Sequence, residues 1–363
     1  MAVPVTAALA AHRAGSLGLG LSGGGFIIPF MLGVIQMLYV ELGVMKYSMP
    51  VAGASTGSIC ASVASGLVPV QQMCDTIART SNKCRDKGNC FGVLQAVVQA
   101  AANELLALDA AEQANRMRNL YVAVTYPSPL GLEPAEVKLI SQFSNRSDLI
   151  GAIDSSTYIP YWSGPLLTTK YRGADVYDGS MGGNGAGFLP CPPNLNYCVR
   201  VSTMPAGVPL NTLLLNLMAT PEDRGFTLGI AANTVAGSDV GGILSGVAAA
   251  RVAVAPETAV AGPGRLAQLT KALMSLTTPG EGDADIWPGR RHPLPVSDYH
   301  WMEWMVTPPN DSERKVMFDL GRAEALSWAQ EVGFPEAAGK SVAADGGQKQ
   351  GGAAAATSVS MSG

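Results

Sequence analysis

Two glycine-rich turns, each set between a short apolar segment and a longer one, constrain the fold of this chain most strongly. The first, Gly20–Gly25, follows "SLGL" and precedes "FIIPFMLGVIQMLYVELG"; the second, Gly53–Gly57, follows "MPVA" and precedes "SICASVASGL". The short segments are typical of buried strands, and the longer ones have helical length, with Pro29 in a first turn where proline is tolerated. This alternation predicts a parallel sheet with crossover helices.

Further segments downstream continue the pattern. "NLYVAVTYPSPL" reads as a strand with "AEVKLISQF" as its partner, and "SDLIGAIDSSTYIP" as a helix that starts at a serine N-cap and stops at Pro160. "LTTKYRGADVYDGS" reads as an extended segment and "NYCVRVST" as one more strand. We therefore predict an α/β fold in which a central, mostly parallel sheet is flanked by helices, followed by a less regular C-terminal extension.

The low content of charged residues indicates which kind of partner this chain binds. Only 14% of the residues are charged, against roughly 25% in an average soluble protein. The net charge is −4 and the basic residues form no block, which argues against a nucleic-acid partner and favours an apolar one. Two uncharged runs, 14–40 and 47–74, are long enough for membrane spans, but glycines and prolines interrupt both. Buried elements of an α/β core explain them better.

The N-terminus and the cysteines bear on the cellular compartment. Arg13 follows the short alanine-rich run instead of preceding it, which does not resemble a secretory signal. A short organellar transit segment stays open, because no acidic residue precedes Glu41. Without a secretion signal we expect reduced thiols. A metal site is not expected either, because the tightest cysteine pairs, 84 with 90 and 191 with 198, have no CxxC spacing and no histidine nearby.

The second glycine turn carries a candidate nucleophile. Gly53-Ala54-Ser55-Thr56-Gly57 fits G-x-S-x-G between a predicted strand and a predicted helix. In that context a strained turn exposes a serine hydroxyl at the end of the sheet. We expect Gly53 and Gly57 to be required because side chains there would collide with the neighbouring strand and helix. A serine also needs a base and donors for the oxyanion.

The first glycine turn has the place of an oxyanion loop. Gly23, Gly24 and Gly25 open a predicted helix about thirty residues before Ser55, so both turns should lie at the carboxyl ends of neighbouring parallel strands. A dinucleotide-binding loop is the rival interpretation, but Ile28 stands at the third glycine position and the acidic residue expected downstream is only loosely matched. A Walker A loop is excluded because no Gly-Lys-Ser/Thr follows.

Four motifs in this order, "GGGF", "GASTG", "YIPYWSGP" and "YRGADVYDGS", resemble the patatin-like phospholipase family. The resemblance is closest to the branch of adipose triglyceride lipase and adiponutrin, and it covers roughly residues 17–205. It implies a three-layer α/β fold and a Ser–Asp dyad: Ser55 as nucleophile, Asp178 as base, and the N–H groups of residues 23–25 as oxyanion donors. Gly179 completes the Asp-Gly motif. The sequence departs from the family at Ile28, which replaces a glycine, and at Ser180, where glycine or alanine is usual.

The resemblance also implies a function and a division of the chain. We expect a serine-dependent lipid acyl hydrolase, a triacylglycerol lipase or phospholipase, that needs no cofactor and acts at a membrane or lipid-droplet surface; some relatives also transfer acyl groups. The expected location is intracellular, cytoplasmic with peripheral membrane association, and a protein co-regulator stays open. The expected parts are an N-terminal tail (1–16), the catalytic domain (17–205), an extension packing on the core (206–338) and a disordered tail (339–363).

Two other interpretations remain open at this point. His292 and His300 lie near the tryptophan-rich "WMEWM" and leave a Ser–Asp–His triad of the α/β-hydrolase order possible. A weak or inactive lipid-binding or scaffold protein that keeps the fold is the other alternative. Inactive members would usually lack the serine or the aspartate, and both Ser55 and Asp178 are present.

Overall fold

The computed structural model of the chain describes residues 6–88, 90–128, 135–182, 188–206 and 284–342. Five strands form the central sheet: β1 (Leu17–Leu21), β2 (Val51–Ala54), β3 (Leu120–Tyr126), β4 (Glu136–Ile140) and β7 (Tyr197–Val201). A separate hairpin joins β5 (Thr169–Tyr171) to β6 (Ala174–Val176). The described α-helices are α1 (Ala7–Arg13), α2 (Ile28–Ile35), α3 (Thr56–Ala64), α4 (Val70–Asp86), α5 (Leu94–Leu105), α6 (Ala110–Met117), α7 (Arg146–Ser156), α8 (Asp298–Glu303) and α9 (Asp311–Val332).

The strand order of the sheet is β4-β3-β2-β1-β7. All neighbours are parallel except β3 and β4, which pair antiparallel. Helices flank the sheet, so the predicted α/β class with a mostly parallel sheet is confirmed. The register places Leu21, the last residue of β1, beside Gly53 of β2 and Val201 of β7. The carboxyl ends of these three strands therefore lie side by side, and the loops that follow them share one edge of the sheet.

The long apolar run after the first glycine turn is helical but changes its winding along its length. A 3₁₀ turn covers Gly25–Ile27, α2 follows with Pro29 in its first turn, and a π-helical segment covers Gln36–Glu41. Each uncharged run of the sequence is thus divided between a short strand and helices. Among the described residues, no helix combines the length and the apolar character that crossing a membrane requires.

Two helices outside the predicted catalytic segment pack on this core. Helix α1 lies in the segment assigned to an N-terminal tail; it buries three side chains, and the hydroxyl of Thr6 donates to the carbonyl of Val332 at 3.1 Å. Helix α9 packs closely along α2, where added side chains at Gly33 or Gly321 would overlap the partner backbone. Residues 207–283 and 343–363 lie outside the described residues, so the expectations for the tail and for most of the extension cannot be compared there.

The cysteines correct one expectation. Cys84 pairs with Cys90 and Cys191 with Cys198 as disulfides, with Cα–Cα distances of 5.0 and 6.1 Å; Cys60 and Cys74 are free. Reduced thiols were expected, and this was wrong for these four residues. The reason is local: the two cysteines of each pair are six and seven positions apart in the sequence, and their Cα atoms lie within the range that a disulfide spans.

Candidate active site

Ser55 occupies the sharp turn between β2 and α3. Its φ of 52° and ψ of −129° lie in a region that costs a residue with a side chain on the order of 1–3 kcal/mol. The Ser55 N–H donates to the hydroxyl of Ser156 at 2.9 Å, and its carbonyl accepts from the N–H and hydroxyl of Ser58 at 2.8 and 2.6 Å. These bonds satisfy the backbone of the turn and hold the strained conformation.

The two glycines of the motif have the steric roles that the sequence predicted. A Cβ at Gly53 would overlap the carbonyl of Gly57 in the following helix. A Cβ at Gly57 would overlap the backbone of Leu21 and Ser22 at the end of β1. Only glycine at both places lets α3 start this close to the sheet, and the closeness brings Ser55 level with the first glycine turn.

Asp178 follows the β5–β6 hairpin and is held by its backbone. Its N–H donates to the carbonyl of Tyr158 at 2.9 Å, and its carbonyl accepts from the hydroxyl of Thr125 at 2.8 Å. The next residue, Gly179, approaches β3 so closely that a Cβ would overlap the carbonyl of Ala123. The aspartate is thereby fixed against the edge of the sheet where Ser55 lies.

The carboxyl group of Asp178 is buried, with 1% of the residue exposed. Its Oδ1 accepts from the N–H of Ser180 at 2.9 Å and from the Ser180 hydroxyl at 2.5 Å. Burial raises the pKa of Asp178 from 3.8 to about 6, and hydrogen bonds from Ser180 and then Ser55 act in the opposite direction. A carboxylate with this pKa is a stronger base than an exposed one and is still ionised at neutral pH.

The Ser55 hydroxyl lies close enough to the carboxylate to lower its pKa. Oδ2 of Asp178 is buried and has no hydrogen-bond partner of ordinary geometry among the described residues. The Ser55 hydroxyl and the Asp178 carboxylate are therefore in loose contact, and such hydrogen bonds often tighten only when substrate is bound. The structure thus brings Ser55 and Asp178 to one place, as the sequence predicted.

Two hydroxyls that the sequence motifs did not indicate hold the loop of residues 23–25. The carbonyl of Gly23 accepts from the hydroxyls of Ser22 at 2.7 Å and Thr203 at 2.6 Å. Because a peptide unit is planar and trans, the N–H of Gly24 points away from these hydroxyls. The N–H groups of Gly24 and Gly25 have no acceptor among the described residues, which leaves them available to a developing negative charge.

Further contacts tie this loop to its neighbours. The Thr56 hydroxyl donates to the carbonyl of Gly25 at 2.9 Å, which links the loop to the residue after Ser55. Gly25 has a φ of +53°, and a side chain there would overlap the carbonyl of Met305, which accepts from the N–H of Phe26 at 3.1 Å. The glycine turn is therefore a fixed loop packed between α3 and the segment after α8.

An apolar cavity of about 140 Å³ opens on these residues. Its polar end contains the three glycines, Ser55, Asp178 and Ser180. Its walls come mainly from α4, α5 and the chain near residues 153–162. Most of the wall side chains are apolar: Ile59, Val68, Met73, Ile77, Leu94, Val97, Val98, Ala101, Ala102, Leu105, Leu106, Ile153, Ile159 and Trp162, with Met181, Phe188, Met305 and Val306 as well. The small hydroxyl residues Thr56, Ser62, Thr76, Thr80 and Thr157 also line it. A serine hydroxyl and a carboxylate at one end of an apolar cavity suit a substrate with a hydrocarbon chain.

The two candidate histidines of the triad lie elsewhere. The Nε2 atom of His292 is 2.9 Å from the hydroxyl of Ser327 on α9. His300 lies on α8, where its ring contacts Trp304 edge-on and its Nδ1 is 3.3 Å from Glu303. Neither histidine lines the cavity, so the structure does not assemble a triad with Ser55 and Asp178.

The described residues contain no cluster of three or more His, Cys, Asp or Glu side chains suited to a metal ion. In comparisons with known proteins, no protein-family model matches the chain, and no curated protein sequence matches it either. The function is therefore argued from the geometry of the site and from the sequence motifs.

Proposed function

We propose that this chain is a serine-dependent lipid acyl hydrolase, a triacylglycerol lipase or phospholipase of the patatin-like type. The observation that carries the proposal is the location of a strained serine and a buried carboxylate together at the polar end of an apolar cavity. A serine in an ordinary tight turn needs neither a neighbouring base nor free backbone donors. Both are present here beside a cavity whose walls suit an acyl chain.

The reaction proceeds in two halves on the same residues. The hydroxyl oxygen of Ser55 attacks the ester carbonyl carbon, and its proton passes to Oδ2 of Asp178. The N–H groups of Gly24 and Gly25 bind the resulting oxyanion. As the tetrahedral intermediate collapses, the bond to the alcohol breaks and the alcohol leaves with the proton from Asp178, so that the acyl group stays on Ser55. Water then attacks the acyl carbon and gives a proton to Asp178. As this second intermediate collapses, the bond to the Ser55 oxygen breaks, Asp178 returns the proton to that oxygen, and the carboxylic acid is released.

The cavity gives this chemistry its substrate class. Each methylene that moves from water to an apolar wall contributes about 0.8 kcal/mol, so a long acyl chain binds far better than a short one. Such chains occur in aggregates, and we therefore place the working enzyme at a membrane or lipid-droplet surface. The ordered motifs that resemble the patatin-like family, with Ser55 and Asp178 at the dyad positions, support the same assignment.

A panel of lipid esters tests the proposal. Triacylglycerol, phosphatidylcholine and lysophosphatidylcholine with the same oleoyl chain are incubated with the protein, and released fatty acid is measured. The matched variants are Ser55→Ala and Ser65→Ala, since Ser65 is also a buried serine but binds only a backbone carbonyl in α3. We expect release from at least one lipid, lost in Ser55→Ala and kept in Ser65→Ala. Release that persists in Ser55→Ala would show that Ser55 is not the nucleophile, and no release from any lipid would favour the lipid-binding alternative.

A further inference from the structure

We propose that Ser180 is a positioning residue that fixes the orientation of the Asp178 carboxylate, so that one oxygen is reserved for Ser55. This proposal rests on the proposed function. It concerns a residue at which the sequence departs from the family it resembles, where glycine or alanine is usual. The resemblance therefore assigns no role to this hydroxyl.

The hydrogen bonds divide the carboxylate into two unequal oxygens. Both donors of Ser180, its N–H at 2.9 Å and its hydroxyl at 2.5 Å, bind Oδ1. Oδ2 is buried and has no partner among the described residues. Rotation of an aspartate carboxyl group about its last side-chain bond is otherwise broad and nearly two-fold. Two donors on one oxygen remove that freedom and leave Oδ2 as the oxygen that can receive the serine proton.

The location of Ser180 fits this role. Its Cβ and Oγ each lie 3.1 Å from the point that a side chain on Gly23 would occupy, and the residue lines the cavity. Ser180 thus sits between the oxyanion loop and the aspartate. Alanine at this place keeps the N–H bond to Oδ1 and loses the shorter hydroxyl bond.

Few other groups around Asp178 stabilise its ionised form. Three neighbouring residues form hydrogen bonds with the backbone of Asp178 or Ser55 and not with the carboxylate: Thr125 on β3, Tyr158 after α7 and Ser156 on α7. Among the described residues no charged or titratable side chain from these elements or from loop 23–25 changes the pKa of Asp178; only burial and the bonds of Ser180 and Ser55 do so. The hydroxyl groups of Ser180 and Ser55 thus stabilise the carboxylate, as a nearby cation does in many sites.

The pH dependence of hydrolysis tests the proposal. The ratio kcat/KM for a short p-nitrophenyl ester is measured from pH 5 to 9 in the wild type, Ser180→Ala, Ser180→Thr and the control Ser65→Ala. Loss of a hydrogen bond to a charged group destabilises the ionised form, so the acid limb of Ser180→Ala should move up by about one pH unit. At pH 8 its kcat should fall about tenfold from misorientation of the carboxylate. Ser180→Thr keeps a hydroxyl and should retain the wild-type acid limb, as should Ser65→Ala.

Two results would overturn the role of Ser180: an acid limb in Ser180→Ala that coincides with the wild type, or an equal loss of rate in Ser180→Thr. Should Ser180→Ala be insoluble, Ser180→Gly also removes the hydroxyl and keeps the N–H, and the same shift is expected. The proposed function fails separately, if Ser55→Ala keeps the hydrolysis. If Ser55→Ala is inactive and the acid limb of Ser180→Ala is not shifted, only the inference about Ser180 is rejected.

Discussion

Replacing Asp178 by asparagine is expected to stabilise the fold while it removes the proposed base. Burial raises the pKa of this carboxyl from 3.8 to about 6, which means that keeping it ionised in the folded state costs roughly 3 kcal/mol at pH 8. Asparagine carries no charge, and its carbonyl oxygen can still accept from Ser180. We expect Asp178→Asn to raise the free energy of unfolding at pH 8 by about 2 kcal/mol, below the full cost because the new amide N–H groups are only partly satisfied.

The sign of this effect depends on pH in a defined way. Because the pKa of Asp178 is higher in the folded protein, folding favours the protonated form. The stability that this group supplies is fully present below about pH 4 and is lost as pH rises through about 6. The advantage of Asp178→Asn over the wild type should therefore grow between pH 4 and pH 7 and then level off.

Urea unfolding followed by tryptophan fluorescence measures this difference at pH 4.5 and pH 8. Asp86→Asn is the matched control, because Asp86 is exposed at the end of α4 and its neutralisation should change stability by less than about 0.5 kcal/mol. An Asp178→Asn protein that is no more stable than the wild type at pH 8 would refute the reasoning. A gain of the same size at both pH values would refute it as well.

Two more variants probe the oxyanion loop and the cavity. Thr203→Val keeps the shape of a fully buried side chain but removes one of the two hydroxyls that donate to the Gly23 carbonyl. We expect kcat to fall about tenfold while the circular dichroism spectrum stays unchanged. An unaltered kcat would mean that this hydroxyl does not orient the loop. Ala101→Phe in the cavity wall should exclude two or three methylenes of the acyl chain and lower kcat/KM for oleoyl esters by roughly 30-fold, with butyryl esters unaffected. Ala100→Phe, at an exposed position on the same helix, is the control. Equal losses for both esters, or the same effect from Ala100→Phe, would show that the acyl chain binds elsewhere.

The elements around the site could be predicted because local signals agreed with the tertiary structure. Strands β1, β2, β3 and β7 follow from short apolar runs beside turn residues, and Gly53 and Gly57 follow from the steric needs of the turn. The N-cap of α7 was misplaced by two residues: the side chain of Asn145 caps the helix by accepting from the N–H of Asp148, not a serine. Asparagine and serine cap about equally well, so the sequence alone does not separate them.

The contacts that orient the site could not be predicted, because they join residues far apart in sequence. Ser156 accepts from the N–H of Ser55 across 101 positions, and Thr203 binds the Gly23 carbonyl across 180. A lone serine or threonine at the end of a helix or strand gives no sign of such a partner. The one sequence feature that indicated such a contact is the pair Ser202-Thr203 directly after β7, because β7 ends beside β1.

The measurement that tests the central claim most directly is esterase activity in four variants with folding checked by circular dichroism: Ser55→Ala, Asp178→Asn, their double variant, and His292→Ala/His300→Ala. If Ser55 and Asp178 act as one unit, the two single variants lose activity to the same low level and the double variant loses no more. The histidine variant keeps most of the wild-type rate. A histidine variant as inactive as Ser55→Ala, or an Asp178→Asn protein that keeps substantial activity, would contradict the dyad.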